Sequence, residues 1–232
     1  MMKHLKIALL SALLPFAAVT SAQADAISLN FELPGVNVTG IGYGAIENYY
    51  NGGADFNGAV GPNYGISFSP SALSLAEYPN PISNTGLEPG GGNALIFLSQ
   101  NNAFMNVAAG FTGGFSFYYA APYDPGSVTV WSGLNGTGTL LATLNLGLTP
   151  PGPTPNFGSG GWVPEGVSFS GTAESVDWGG TANEITFADV TLGSGTPIIS
   201  NAVPDNTGAG IYSLAALGLA GAAYVSRKQA KA

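Results

Sequence analysis

Two neighbouring stretches decide the fold class: GGFSFYYAAP at residues 113–122 and GSVTVWSG at residues 126–133. In the second stretch Val128 and Val130 alternate with small polar residues, and apolar residues at every second position are typical of a strand with one buried face. The first stretch is rich in Phe and Tyr, which are enriched in strands, and turn-forming Gly and Pro bound both stretches. We therefore predict two strands joined by a turn.

Similar short runs recur along most of the chain, and no stretch between them has a convincing helical pattern. The sequence therefore predicts an all-β fold, an antiparallel β-sandwich that occupies residues 25–200 as one domain. The further predicted strands cover residues 27–33, 64–69, 93–99, 139–146, 165–171, 174–180 and 184–193.

One segment between these strands, Thr149 to Gly161, is too rich in Pro and Gly to form a strand in its middle. It could be a linker between two domains. Because the strands on each side are too few to build two cores, we predict a long loop across the end of one sandwich. Residues 86–93, GLEPGGGN, are predicted as a second loop of the same kind.

Charge is distributed unevenly along the chain. All five Lys and Arg residues and the single His lie near the two ends, whereas all thirteen Asp and Glu residues lie between Asp25 and Ser226. This central part can form no side-chain salt bridge and cannot neutralise phosphate groups, so we expect no nucleic-acid partner.

The same composition excludes most catalytic chemistry. The chain has no Cys, and its central part has no His or Lys, so Ser-His-Asp, Cys-His and Schiff-base sites are excluded. Carboxylates remain, as in glycoside hydrolysis, and Asp177 with Glu174 or Glu184 with Asp189 could form a pair. Positions in neighbouring turns explain these acids equally well. We predict that the protein is not an enzyme and keep a secreted, carboxylate-dependent polysaccharide-acting enzyme as the alternative.

The N-terminus has the pattern of an export signal in residues 1–24. A basic start is followed by an apolar region from Ile7 to Val19, and Ala22 and Ala24 form the A-x-A cleavage site of a signal peptidase. An uncleaved membrane helix is the alternative. The apolar region is short for a membrane span and contains Pro15, so we predict export with cleavage before residue 25.

The C-terminal segment, residues 201–232, predicts a membrane helix and its flanks. Residues 208–225 carry no charge and would span roughly 27 Å as a helix, close to the ~30 Å of a bilayer core. Arg227 and Lys228 then stand where cytoplasmic basic residues stop transfer. Ala and Gly make this a weak insertion signal, so we predict a transient transmembrane helix. A buried globular helix and a permanent single-pass anchor are the alternatives.

The order of parts at this end resembles a PEP-CTERM sorting tail. Val203, Pro204 and Asp205 precede the apolar helix and the basic cluster, as in the VPDSG-CTERM variant, although Asn206 stands where that variant has Ser. The resemblance implies recognition by an exosortase, a membrane transpeptidase that removes the tail. It also implies passage across the inner membrane of a Gram-negative-type bacterium to the cell surface or its extracellular polysaccharide matrix.

The body of the chain also resembles known exported proteins. Segments such as GPNYGISFS, GFSFYYAAP and GSVTVWSGLNGTGTLLATL are similar to those of exported PEP-CTERM proteins of unassigned function. The closing ITFADVTLG at 185–193 resembles the last strand of galactose-binding-like jelly rolls and carbohydrate-binding modules. In such jelly rolls the first and last strands pair, which would bring Glu32 near Asp189. Oxygen ligands of this kind suit calcium, so these two acids are candidate calcium ligands, and a solvated surface is the alternative.

Aromatic residues are the candidates for glycan contact, because Tyr and Trp stack on sugar rings while Asn and Asp bind the hydroxyls. The alternative is that these rings pack the core. Adjacent residues on a strand point to opposite faces, so at most half of them can line one surface. We predict a structural or adhesive surface protein with a glycan-binding role, and the candidates are Tyr49, Tyr50, Tyr118, Tyr119, Tyr123, Trp131, Trp162 and Trp178.

Overall fold

The structure is a computed structural model that describes residues 26–36, 42–76, 88–150 and 161–199. The predicted signal peptide and sorting tail, residues 1–24 and 201–232, lie outside the described residues. Within the described ranges, no helix has the length and apolar character that a membrane crossing requires.

The described residues form ten strands that pair in antiparallel fashion, together with one 3-10 turn at Leu134–Gly136. The all-β antiparallel fold that the sequence predicts is therefore confirmed. The strands are β1 Ile27–Leu29, β2 Tyr43–Ala45, β3 Ile66–Phe68, β4 Leu73–Ala76, β5 Asn93–Ile96, β6 Asn102–Ala120, β7 Gly126–Gly133, β8 Thr137–Leu146, β9 Val163–Gly180 and β10 Thr186–Leu192.

The two longest strands, β6 and β9, form the central ladder of the fold. The strands follow the order β2-β4-β5-β10-β6-β9-β7-β8, with β1 beside β10 and β3 beside β6. Each end of the ladder has different neighbours: β3 pairs with residues 105–107 of β6, whereas β10 pairs with residues 115–120. The single long ladder thus belongs to two different groups of strands.

The position of Trp178 shows that this ladder folds back on itself. Trp178 of β9 lies opposite Ala103 of β6, yet its ring centroid is 5.3 Å from those of Phe115 and Phe117 on the same strand β6. A straight strand would separate residues 103 and 115 by about 40 Å. The ladder must therefore bend, and the two groups of strands pack face to face as a β-sandwich.

The bend falls where the register of the ladder shifts, between Asn106 and Gly113. Gly110 in this stretch has a φ of 72°, and a Cβ there would lie 2.3 Å from Cγ2 of Thr172 on β9. Only glycine allows both the left-handed backbone and this close approach.

The two layers follow from these pairings. The front sheet contains β3, the first half of β6, the second half of β9, β7 and β8. The back sheet contains β2, β4, β5, β1, β10 and the remaining halves of β6 and β9. Both sheets contribute to one hydrophobic core, and β8 and β9, which flank residues 151–160, both take part in it.

Aromatic rings fill the centre of this core. Trp178 is fully buried and has Phe115, Phe117 and Phe187 around it, the last at 4.7 Å between ring centroids. Edge-to-face and tilted ring pairs of this kind add about 0.5–1.5 kcal/mol each beyond the apolar area that they bury. A second aromatic group, which joins β3 to the loops around it, consists of Phe31, Tyr49, Tyr50, Tyr64 and Phe68.

The chain leaves the sandwich across the outer side of the back sheet, in a segment that we call the strap, residues 194–199. Ser116 Oγ donates to the Ser194 carbonyl at 2.9 Å, and Ser28 Oγ donates to the Ile198 carbonyl at 3.1 Å. The strap lies so close to β9 that a Cβ at Gly166 would be 2.2 Å from the Gly195 carbonyl oxygen. The last described residues are thus attached to the back of the molecule.

We predict that replacing Trp178 by Ala lowers the free energy of unfolding by about 3–5 kcal/mol, because a fully buried ring at the contact between the layers is lost. Urea denaturation measures the change. Trp131→Ala is the matched control, since Trp131 lies half-buried on an outer face, and a loss of about 1 kcal/mol or less is expected. Equal losses in the two variants would contradict the assignment of Trp178 to the core.

Candidate functional site

The outward side of the front sheet carries aromatic and polar side chains close together. Side chains alternate along each strand, and the inward positions Val128, Val130, Val176 and Trp178 are fully buried. The outward positions combine two aromatic rings with amides, hydroxyls and a carboxylate. We call this surface the front face and define it by Asn102, Phe104, Asn106, Ser127, Thr129, Trp131, Thr143, Asn145 and Asp177.

The register of the strands places part of the front face in one row. Phe104 of β6 lies opposite Asp177 of β9, Asp177 lies opposite Thr129 of β7, and Thr129 lies opposite Thr143 of β8. With about 4.8 Å between neighbouring strands, the row extends over roughly 14 Å. It presents a ring, a carboxylate and two hydroxyls in sequence across the sheet.

Trp131 borders this row on the β7 side. Its indole Nε1 donates a 2.8 Å hydrogen bond to Thr129 Oγ1, so the ring is directed along the face. It is half-buried and lies opposite Leu140 of β8, which is 47% exposed. Trp131 and Leu140 form an apolar surface beside the polar row.

The 3-10 turn after β7 covers the end of the front face at Asn106 and Ser175, the same end at which Trp131 lies. Asn106 and Asn135 exchange two hydrogen bonds of 2.8 Å, one through the backbone N–H of Asn135 and one between the side chains. The next residue, Gly136, donates its N–H to Ser175 Oγ at 3.0 Å and lies against the ring of Phe104. Phe104 is therefore held in place by a turn that is itself anchored to β6 and β9.

Asp177 is the charged group of the front face. Asn102 Nδ2 donates to its Oδ1 at 3.2 Å. Partial burial raises the pKa of Asp177 above its ordinary value, and the hydrogen bond from Asn102 offsets part of that rise. No Lys, Arg or His occurs among the described residues, so none of these residues supplies a cation to balance this carboxylate.

The predicted aromatic candidates divide between the core and the surface. Trp131, Tyr118 and Trp162 are half-buried, and Tyr123 is 61% exposed in the turn between β6 and β7. The remaining candidates, Tyr49, Tyr50, Tyr119 and Trp178, are buried, as the core alternative expects. Phe104 was not among the candidates, because residues 102–112 have no clear strand alternation and Phe was not considered.

A second candidate feature is the pair of buried carboxylates Glu88 and Asp189, which joins the loop before β5 to strand β10. Glu88 and Asp189 are 3% and 1% exposed, and their side chains are hydrogen-bonded to each other. Burial, and then the neighbouring Asp189, raise the pKa of Glu88 from 4.5 to about 8, although the backbone N–H groups of Gly90 and Gly92 donate to it. Glu88 lies in the predicted loop 86–93, but nothing in the sequence pairs it with Asp189.

Of the two candidate calcium ligands, Asp189 belongs to this pair and Glu32 lies close to it. Strand β1 pairs with β10, and Glu32 Cγ and Glu88 Oε1 both lie within 3.4 Å of the position that a Cβ at Gly92 would occupy. The carboxylates and the carbonyl of Asn30 nearby are hard oxygen donors that fit calcium. Among the described residues, however, no group of three or more His, Cys, Asp or Glu side chains is arranged to hold a metal ion.

The carboxylates considered for glycoside hydrolysis have separate neighbours among the described residues. Glu174 Cγ lies against Gly110 at the bend of β6, whereas Asp177 accepts its hydrogen bond from Asn102 at the start of that strand. Glu184 lies in the turn before β10, and Asp189 is hydrogen-bonded to Glu88.

The processing residues lie outside the described ranges and stay predictions. They are Ala22 and Ala24 at the signal cleavage site, Val203, Pro204 and Asp205 in the sorting motif, and Arg227 and Lys228 after the predicted helix.

Several solved structures share a part of this fold. A carbohydrate-binding module of Cellvibrio mixtus lichenase 5A with cellotriose has 12% identity and a TM-score of 0.35, covering 53% of this chain and 86% of that one. CsCBM6-3 from Clostridium stercorarium with cellobiose has 16% identity and a TM-score of 0.34, covering 59% and 87%. The K2 cleaved adhesin domain of Lys-gingipain has 14% identity and a TM-score of 0.39, covering 72% and 97%.

Similarity at this level decides neither the fold family nor the ligand. No protein-family model matches the chain, and no curated protein matches it.

The buried carboxylate pair predicts a specific pH dependence of stability. Because the folded-state pKa of Glu88, about 8, lies above its ordinary value of 4.5, folded protein keeps a proton that unfolded protein has lost between these values. The contribution of Glu88 to the free energy of unfolding should therefore be greatest below about pH 4.5. It should fall as the pH rises to about 8, by up to about 1.4 kcal/mol per pH unit.

Melting temperatures measured in chelator between about pH 5 and pH 8 test this dependence. Glu88→Gln should remove the dependence and be the more stable chain at the alkaline end, since an amide donates to Asp189 without losing a proton. Glu47→Gln, at an exposed position, should retain the wild-type slope. A Glu88→Gln chain with an unchanged slope would contradict the shared-proton pair.

Proposed function

We propose that this protein is an exported β-sandwich that binds polysaccharide through its front face and acts as a structural or adhesive component of the cell surface. The observation that supports this most is the row of Phe104, Asp177 and Thr129 across three strands, bordered by Trp131. Aromatic rings next to hydroxyl-binding groups on a rigid sheet are the combination that sugar recognition needs.

The chemistry of each group suits one part of a sugar chain. The apolar faces of pyranose rings stack on Trp131, whose ring is fixed by its bond to Thr129, and on Phe104, which the 3-10 turn supports. Asn102 and Asp177 provide amide and carboxylate groups for the hydroxyls. These groups stand on strands and not on flexible loops, so little conformational entropy is lost when a glycan binds.

A panel of soluble oligosaccharides tests this function. Trp131→Ala should weaken binding about tenfold, or about 1.4 kcal/mol, because the stacking surface is lost while the fold remains. Tyr123→Ala is the matched control, since it removes an exposed aromatic ring that is not part of the front face and should leave the dissociation constant unchanged.

Two results would contradict this function. Absence of binding to every oligosaccharide would refute the role of the front face. Release of reducing ends over time would favour the alternative, a secreted polysaccharide-acting enzyme that uses two carboxylates.

We further propose that the chain is sorted by an exosortase. Signal peptidase would remove residues 1–24, the helix at 208–225 would pause in the inner membrane, and recognition of Val203, Pro204 and Asp205 would lead to removal of the tail. The destination is the cell surface or extracellular polysaccharide matrix of a Gram-negative-type bacterium. The strap holds the chain against the back sheet ahead of this motif, through hydrogen bonds between Ile198 and the side chains of Ser28 and Thr191.

Mass spectrometry of the mature protein tests the sorting. We expect an N-terminus at Asp25 and a C-terminus near residues 203–208, because cleavage at the sorting motif removes the helix and the basic residues. Protein whose mass extends to Ala232 would instead support the permanent single-pass anchor and refute removal of the tail.

We also propose a calcium ion held by Glu32 and Asp189 together with backbone carbonyl oxygens such as that of Asn30, within a jelly roll of the galactose-binding type. The specific observation in its favour is the burial of two hydrogen-bonded carboxylates with Glu32 close by, since a divalent cation would replace the shared proton. About 1 mM calcium should then raise the melting temperature of the wild type near pH 8 and not that of Glu88→Gln. If calcium changes the melting temperatures of the two chains equally, the calcium site is refuted and the shared proton alone balances the carboxylate pair.

A further inference from the structure

The electrostatic field around the front face has one sign. Every Asp and Glu of the protein lies between Asp25 and Ser226, and no Lys, Arg or His lies there. The described surface therefore carries negative charge with no positive charge interspersed. Such a surface repels uronic acids, sulfates and phosphates and raises the local concentration of cations.

Among the residues that define the front face, Asp177 is the one that carries a charge. Strands β3, β7 and β8 contain no charged residue, and β6 contains none. Asp177 stands in the middle of the row between Phe104 and Thr129, on the central strand β9. A bound glycan that lies across the row must therefore pass over this carboxylate.

Asp177 has acceptor capacity that the described residues do not use. An ionised carboxylate can accept about four hydrogen bonds, and the one that the described residues provide comes from Asn102 to Oδ1. The side chain is partly buried, which strengthens its interaction with a nearby cation relative to that of an exposed carboxylate. A positively charged donor above the row would supply the balancing charge that the described residues lack.

We infer that the front face selects polysaccharides that carry free amino groups, with the sugar ammonium group bound at Asp177 and the neighbouring rings stacked on Trp131 and Phe104. This inference rests on the proposed function and names the ligand class of that same site. Neutral polysaccharides bind the same face through stacking and hydroxyl contacts alone, and acidic polysaccharides are disfavoured.

Three hexamers of equal length test the inference on the purified chain: glucosamine, N-acetylglucosamine and galacturonic acid. At about pH 6 and low salt the glucosamine hexamer should bind about fivefold more tightly than the N-acetyl form, and the galacturonate hexamer should bind most weakly. The preference for the amino form should disappear at about 1 M salt, where the screening length falls to roughly 3 Å.

Asp177→Asn and Glu174→Gln form a matched pair of variants, since each removes one negative charge from strand β9. Asp177→Asn should abolish the fivefold ratio between the amino and N-acetyl hexamers, because the amide keeps a hydroxyl acceptor but loses the charge. Glu174→Gln should keep the ratio, because Glu174 lies against Gly110 and not on the front face.

The outcomes separate this inference from the function on which it rests. Binding of the N-acetyl hexamer without a preference for the amino form overturns the inference and leaves polysaccharide binding in place. Equal ratios in the two variants, or galacturonate binding as tight as glucosamine binding, overturn it as well. Failure of all three hexamers to bind overturns the inference, and it refutes polysaccharide binding as well when no oligosaccharide of the wider panel binds.

Discussion

The packing of Trp178 against Phe115 and Phe117 is the contact on which the rest of the structure depends. Strands β6 and β9 are hydrogen-bonded along their whole length, and this contact requires the pair to fold back so that its two halves enclose a core. Bending at Gly110 turns one ladder into two layers, with β3, β7 and β8 on one and β1, β5 and β10 on the other. The outward side of each layer then has its own role: the front face presents the row around Asp177, and the back sheet holds the strap.

The absence of cations between Asp25 and Ser226 is a second constraint, and the acids respond to it in different ways. Asp55 is buried and accepts the backbone N–H groups of Gly35, Asn57 and Ala59, which replace a salt bridge as the balancing dipoles. Glu88 and Asp189 share a hydrogen bond that needs a proton or a cation. Asp177 has one amide donor and faces outward, so it is the acid best placed to take its balancing charge from a ligand.

Strict alternation of apolar and polar residues was enough to predict some strands from the sequence. Where that alternation is lost, strand boundaries and short strands were missed. Strand β7 begins and ends at the predicted residues 126 and 133, because its valines alternate without interruption. Strand β6 begins at Asn102 and not at residue 113, since the bulged, glycine-rich stretch around Gly110 breaks the pattern. For the same reason the predicted runs 165–171 and 174–180 are one strand, and β2 and β4 are too short to be recognised. The Glu88–Asp189 pair joins distant parts of the chain, which no local pattern encodes, whereas the pairing of β1 with β10 placed Glu32 in the expected region.

The front face and the strap lie on opposite outer sides of the sandwich. The central claim is that this face binds polysaccharide. Titration of the isotope-labelled protein with a hexasaccharide, followed by backbone amide NMR shifts, tests it most directly. The account predicts shifts concentrated at residues 102–106, 129–131 and 175–179. Shifts confined to the strap or to the turn at Tyr123, with these three segments unchanged, would contradict it.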